Sequence, residues 1–265
     1  MTAFGVALEI TPPREHNPEV LLRRARLLGP LANAVHVVQR PDRQASLDAS
    51  LELERAGLHA VWHVTNRGRA RAAIEAELER AAAAGLRAAL VVRGEGDVDD
   101  RADTPSLREI VARSAAALPG ARIGVTLNPY LARERVLANL WPKLEAGAAF
   151  IQTQPVFELA ALRGVAEEIR ARAPRVAIVP MVIPLLSAAS AEKLALRLRL
   201  PIAERSLARL ARGGESEGWR LFAETLRELR ASGLADGVAL MTQALDPPPA
   251  FGPAVRSALA DALAL

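Results

Sequence analysis

FGVALEITPP, residues Phe4 to Pro13, reads as a short strand that two prolines stop. Phe4, Val6, Leu8 and Ile10 alternate with Gly5, Ala7 and Glu9. Glu9 is the strand's one ionisable group, near its carboxyl end and on the face opposite the large apolar side chains. A carboxylate in that position is either costly or useful.

The same grammar repeats outward from this stretch. Strands are expected at Ala34 to Gln39, His59 to Thr65, Arg87 to Val92, Arg122 to Leu127, Ala149 to Thr153, Val176 to Met181 and Gly237 to Met241. Helical periodicity fills the gaps between them. Asn17-Pro18-Glu19 opens a helix to about Leu28, Gly57 and Gly85 end the second and third helices, and Thr104-Pro105-Ser106 caps the fourth. Pro142 falls inside the fifth, Pro201 breaks a helix pair, and Gly213-Gly214 reads as a loop before a long helix from Glu217 to Ser232. Eight apolar strands separated by helices imply right-handed parallel crossovers. At this length they imply one (β/α)8 barrel over residues 1–265, with extra helices between the seventh and eighth strands; an open doubly wound sheet is the alternative.

Composition removes whole classes of function. The 265 residues are 51% apolar, enough for a large core, and contain no cysteine, so disulfides, thiolate metal sites and a Cys nucleophile drop out. No leader pattern and no apolar run of membrane-spanning length is seen, which points to a cytoplasmic protein with no membrane partner. The net charge of +4 comes from arginines interleaved with Glu, as in RRARLL and TLRELRA, which are solvated helix faces. With 3% aromatic residues there is little for nucleic-acid bases to stack on, so small molecules are the expected partners.

In a barrel, chemistry sits at the carboxyl ends of the strands. There the chain places Glu9, Gln39 and Arg40, His63, Thr65 and Asn66, Arg93 and Glu95, Asn128, Gln152 and Gln154, Met181 and Gln243. No His, Asp or Glu cluster has metal spacing, so no metal is expected, and Lys143 and Lys193 fall on helices, which counts against a Schiff base. Nucleophile-elbow, P-loop and dinucleotide glycine motifs are missing. Carboxamides flanked by acids suit a flat heterocycle with donor and acceptor edges.

The ordered set of the Glu-bearing first strand with its double proline, WHVTNR, VVRGE, EAGAAFIQTQPVF and VPMVIP resembles the methylenetetrahydrofolate reductase family. The resemblance implies a (β/α)8 barrel that reduces 5,10-methylenetetrahydrofolate to 5-methyltetrahydrofolate. It gives Glu9 the role of general acid, Glu95 that of an acid near the pterin, and Gln154 that of the carboxamide reading the pterin edge. Thr65 joins them as a substrate contact, and His63, Arg93, Asn128 and Lys143 are cofactor contacts.

The chain departs from the family where a flavin is usually held. VVQRPDR at Val37 to Arg43 lacks the second-strand stretch, while VVRGE at Val91 to Glu95 and TLNPY at Thr126 to Tyr130 are altered. These departures weigh against FAD. The resemblance then implies the flavin-independent branch, with NADH, ahead of NADPH, passing hydride directly to the folate. The alternatives are the same reaction through FAD, or a folate-binding or partner-binding barrel without catalysis. Read alone, Glu9 could equally be a structural carboxylate, His63 a hydrogen-bonded strand end, and Arg93 a neutralising neighbour of either acid. His16, His36 and His59 carry no readable signal.

Overall fold

The computed structural model describes residues 4–95, 99 and 102–264. Eight parallel strands close a barrel in sequence order: β1 (Gly5–Ile10), β2 (Ala34–Val37), β3 (Ala60–Thr65), β4 (Ala88–Val92), β5 (Arg122–Leu127), β6 (Phe150–Pro155), β7 (Ala177–Val182) and β8 (Gly237–Met241). The helices are α1 (Pro18–Ala25), α2 (Ser46–Arg55), α3 (Arg71–Ala83), α4 (Leu107–Ala117), α5 (Arg133–Glu145), α6 (Leu159–Arg172), α7 (Ala188–Leu198), α8 (Glu204–Ala231) and α9 (Phe251–Leu263). The expected barrel and its extra helices between β7 and β8 are both present, and the open sheet is not. No described helix is long and apolar enough to cross a membrane.

Local chemistry accounts for the helix starts. The Asn17 side chain accepts from Val20 N with Pro18 in the first turn, and Ser106 forms a reciprocal capping box with Glu109. One boundary differs from expectation. Helix α1 ends at Ala25 rather than Leu28, because the chain must turn through Gly29, at φ 55°, to reach β2. The expected break at Gly213-Gly214 is present: Gly214, at φ 54°, ψ −139°, is non-helical, and α8 is two helical segments that meet at a kink there.

Strand alternation divides the core in two. Val6, Leu8 and Ile10 face the helices with Trp62, Val125, Ile151 and Leu240, whereas Val61, Ala88, Leu90 and Phe150 fill the inside of the barrel. Phe150 lies across the interior because β5 offers it Gly124, where a Cβ would sit 2.2 Å from the Phe150 ring. Val61, Ala88 and Phe150 stand at the amino-terminal ends of their strands and Leu90 at the middle of β4, where the apolar packing meets the cavity, so the polar interior is at the carboxyl end. A smaller apolar set, Ile183, Leu185, Ala191, Leu194 and Leu210, holds α7 and α8 against the segment after β7.

Candidate active site at the carboxyl ends of the strands

Glu9 points inward because its neighbours Leu8 and Ile10 face the helices. It forms part of the floor of a cavity of about 840 Å³ that opens at the carboxyl ends of the strands, within the usual range for small-molecule sites. Gln152 Nε2, from β6 across the barrel, donates to Glu9 Oε2 at 2.7 Å. Burial pushes the Glu9 carboxyl up to about 7; the Gln152 hydrogen bond and the nearby Arg40 charge oppose that rise, and Glu95 adds to it. Glu9 therefore holds a proton near neutral pH and can release it.

Two histidines share the interior. His36 is the β2 register partner of Glu9, and its ring meets that of His63 edge-on at 5.7 Å. Burial pushes His63 down to about 3 and His36 well below its usual range, so both are neutral at physiological pH. This makes an acid-side stability prediction. A group whose folded pKa is depressed contributes stability that is present above its unfolded value, near 6.5, and is lost as pH falls towards the folded one. Urea unfolding is expected to show each histidine contributing a loss of about 1.4 kcal/mol per pH unit below that value. Glu9, raised above 4.5, contributes the opposite slope between 4.5 and 7. His63→Phe is expected to flatten the acid limb, and an unchanged limb would contradict this assignment.

Higher in the cavity, Arg40 Nη2 meets Glu95 Oε1 at 3.3 Å, linking the loops after β2 and β4. Both side chains are substantially exposed, so the pair steers charge more than it stabilises the fold. Arg93 and Gln154 line the same space. In β6, Gln152 pairs with Val179 but Pro155 with Met181, so three residues of one strand oppose two of the next. That bulge contains Gln154 and changes the direction of the strand where it meets the cavity. Met181 N donates to Thr153 Oγ1 across the same irregularity.

Five of the expected site residues, Glu9, His63, Arg93, Glu95 and Gln154, thus border one cavity. Three do not. Thr65 is buried behind that wall, against Gly94, where a Cβ would come 3.1 Å from its own. Asn128 Oδ1 accepts from Tyr130 N and shapes the turn after β5. Lys143 is buried near the carboxyl end of α5, and its carbonyl accepts from Ala148 N just before β6, which puts it at the amino-terminal end of the barrel. Thr65, Asn128 and Lys143 therefore lie outside the lining of this cavity; for Lys143 the reason is that a helix returning antiparallel to its strand carries its last turn away from the mouth. Gln152, Arg40, Thr126 and the Arg24–Asp246 pair also border the cavity without having been assigned a role from sequence. Among the described residues, no three His, Asp or Glu side chains converge as a metal would require.

A closed parallel barrel with a proton-bearing acid on the floor of its carboxyl-end cavity defines the class: a (β/α)8-barrel protein with a small-molecule site. Residues 2–242 match the family model described as methylenetetrahydrofolate reductase, and the chain belongs to that family. No curated protein sequence matches it. Among solved structures, an uncharacterized protein from Clostridium thermocellum, described as binding two copies of 5-methyl-5,6,7,8-tetrahydrofolic acid, is similar with a TM-score of 0.66 and 15% identity, over 99% of this chain and 95% of its own. Tryptophan synthase from M. tuberculosis, in an open form, is similar with a TM-score of 0.55 and 15% identity, over 99% and 92%. At such identities these likenesses show the fold alone.

Proposed function

We propose that this chain reduces 5,10-methylenetetrahydrofolate to 5-methyltetrahydrofolate with hydride taken directly from NADH and without a flavin. The observation that carries the reading is Glu9: a carboxylic acid inside the barrel, with its pKa near 7, opening on a cavity. The reaction needs such a group. The bond between the methylene carbon and N10 breaks as a proton reaches that nitrogen, leaving a 5-iminium cation; hydride then adds to the carbon, and the nicotinamide is oxidised. Glu9 is the proton donor in this scheme and Glu95 a counter-charge to the cation, moderated by Arg40. Gln154 reads the pterin edge, and His63, neutral throughout, lies where a ring can pack against it. Family membership supports the folate substrate, and the Clostridium thermocellum protein shows that this fold can bind the methylated product.

The donor set fits a flavin poorly. His63 and Arg93 border the cavity, but Gln39 Oε1, in the loop after β2, accepts from both the backbone and the hydroxyl of Ser46, Asn128 closes its own turn, and Lys143 is at the far end. The deciding experiment is an absorbance spectrum of the purified protein, followed in the same cuvette by NADH oxidation with methylenetetrahydrofolate and no added flavin. Colourless protein that oxidises NADH is the expected result. Flavin bands, or activity only after FAD is added, would overturn direct transfer, and inactivity under both conditions would overturn the reductase reading.

A further inference from the structure

Gln152 is 1% exposed in the middle of β6 and projects into the barrel between its register partners Thr126 and Val179. Only one end of its carboxamide is used: Nε2 donates to Glu9 Oε2, while Oε1 is buried without a partner. An apolar side chain of similar volume would fill the space without an unpaired amide oxygen but would leave Glu9 Oε2 without its donor. What it supplies is the contact to Glu9.

We propose that Gln152 is the positioning residue of the acid: by donating to Glu9 Oε2 it reserves that oxygen as an acceptor and leaves the transferable proton on Oε1. This rests on the reading of Glu9 as the proton donor. An ionised carboxylate can only accept, so it selects the amide orientation seen here. When Glu9 takes up a proton, Oε2 is already engaged by N–H and the proton goes to Oε1. The opposite orientation of the amide would let Oε2–H donate to Gln152 and hold the proton away from a ligand. On transfer, the Oε1–H bond breaks, the N–H bond on the departing nitrogen forms, and the Gln152 N–H remains to hold the carboxylate left behind. The other groups acting on Glu9 are Arg40 and Glu95 from the loops after β2 and β4, with His36 beside it on β2 and Met241 on β8. The histidine is neutral, so Gln152 is the donor that sets the ionised form from within the barrel.

The test is a carboxyl carbon NMR titration of Glu9 in substrate-free protein, wild type against Gln152→Leu and Gln152→Met, combined with pH profiles of turnover. In the variants the Glu9 titration and the alkaline limb of kcat/KM are expected to move up together by about one pH unit or more, since a hydrogen bond to the ionised form is lost. At a pH where the acid is protonated, kcat is expected to fall roughly 10- to 100-fold with KM within a few-fold, as for outer partners of other reactive groups. The methionine variant, unbranched like glutamine, serves if the leucine variant does not fold. An unmoved titration with normal kcat in a folded variant would overturn the proposal. If wild type fails to reduce methylenetetrahydrofolate, the functional reading falls, while the titration still decides whether Gln152 sets Glu9.

Discussion

Glu9→Gln is expected to lower the turnover of methylenetetrahydrofolate by roughly 10²–10⁴-fold, the usual worth of a positioned general acid, while folate affinity stays within a few-fold. The substitution preserves size and the ability to accept from Gln152 Nε2, so it removes the proton and little else. Steady-state kinetics with a parallel folate-binding titration checks it; normal turnover would end the assignment of the acid. The wild-type rate should also fall about tenfold per pH unit above 7, because only the protonated form acts and burial holds the Glu9 pKa near that value. Stability falls with rising pH as well, in the window just below. Glu9 has a folded pKa above its unfolded 4.5, so the folded state binds the extra proton between 4.5 and 7 and loses stability as pH rises through that window. Glu9→Gln is therefore expected to be more stable than wild type at pH 8, by about 1–3 kcal/mol, and to match it near pH 4. The acid is held at the expense of the fold, as functional carboxylates often are.

Gly218→Ala is the second large effect. In α8, a Cβ at Gly218 would lie 2.1 Å from the Leu185 carbonyl oxygen and 2.9 Å from Leu186 Cα. Both are backbone atoms, so no side-chain rotation relieves the clash; either α8 lifts or the segment after β7 shifts. Overpacking of this kind costs typically about 1–3 kcal/mol, and more when backbone must move. For a chain of this size each kcal/mol lowers Tm by about 2–4 °C. The segment that would move also carries the Pro184 carbonyl, which accepts from Gln243 at the cavity wall, so KM should rise with the loss of stability. Gly164→Ala in α6 is the control: its Cβ would meet nothing within 4 Å, and the change should stabilise by about 0.5–1 kcal/mol. Thermal unfolding of both variants checks the pair. Equal melting temperatures would mean that α8 is free to lift at Gly218.

The barrel was legible because its signal is local. Each strand is an apolar run bounded by turn residues, and most of the helices have a cap or a glycine stop that acts over four or five residues. The break at Gly214 was legible too, since two glycines in a row interrupt a helix, and Gly214 is non-helical between two helical segments. Glu9 was legible for the same reason as the strand: period-two alternation puts it opposite Leu8 and Ile10. His36 sits in the same pattern, between Val35 and Val37, and that alternation alone would have placed it inside the barrel. The role of Gln152 was out of reach, since the partner that gives it meaning lies 143 residues away. Lys143 was placed by resemblance alone, and its position near the end of α5 lies away from the cavity at the carboxyl ends of the strands.

The packed amino-terminal end around Phe150, Val61 and Ala88 has a consequence for traffic. Among the described residues the well is closed below, so whatever reaches Glu9 comes from the carboxyl-end mouth, past the loops that carry Arg40 and Arg93.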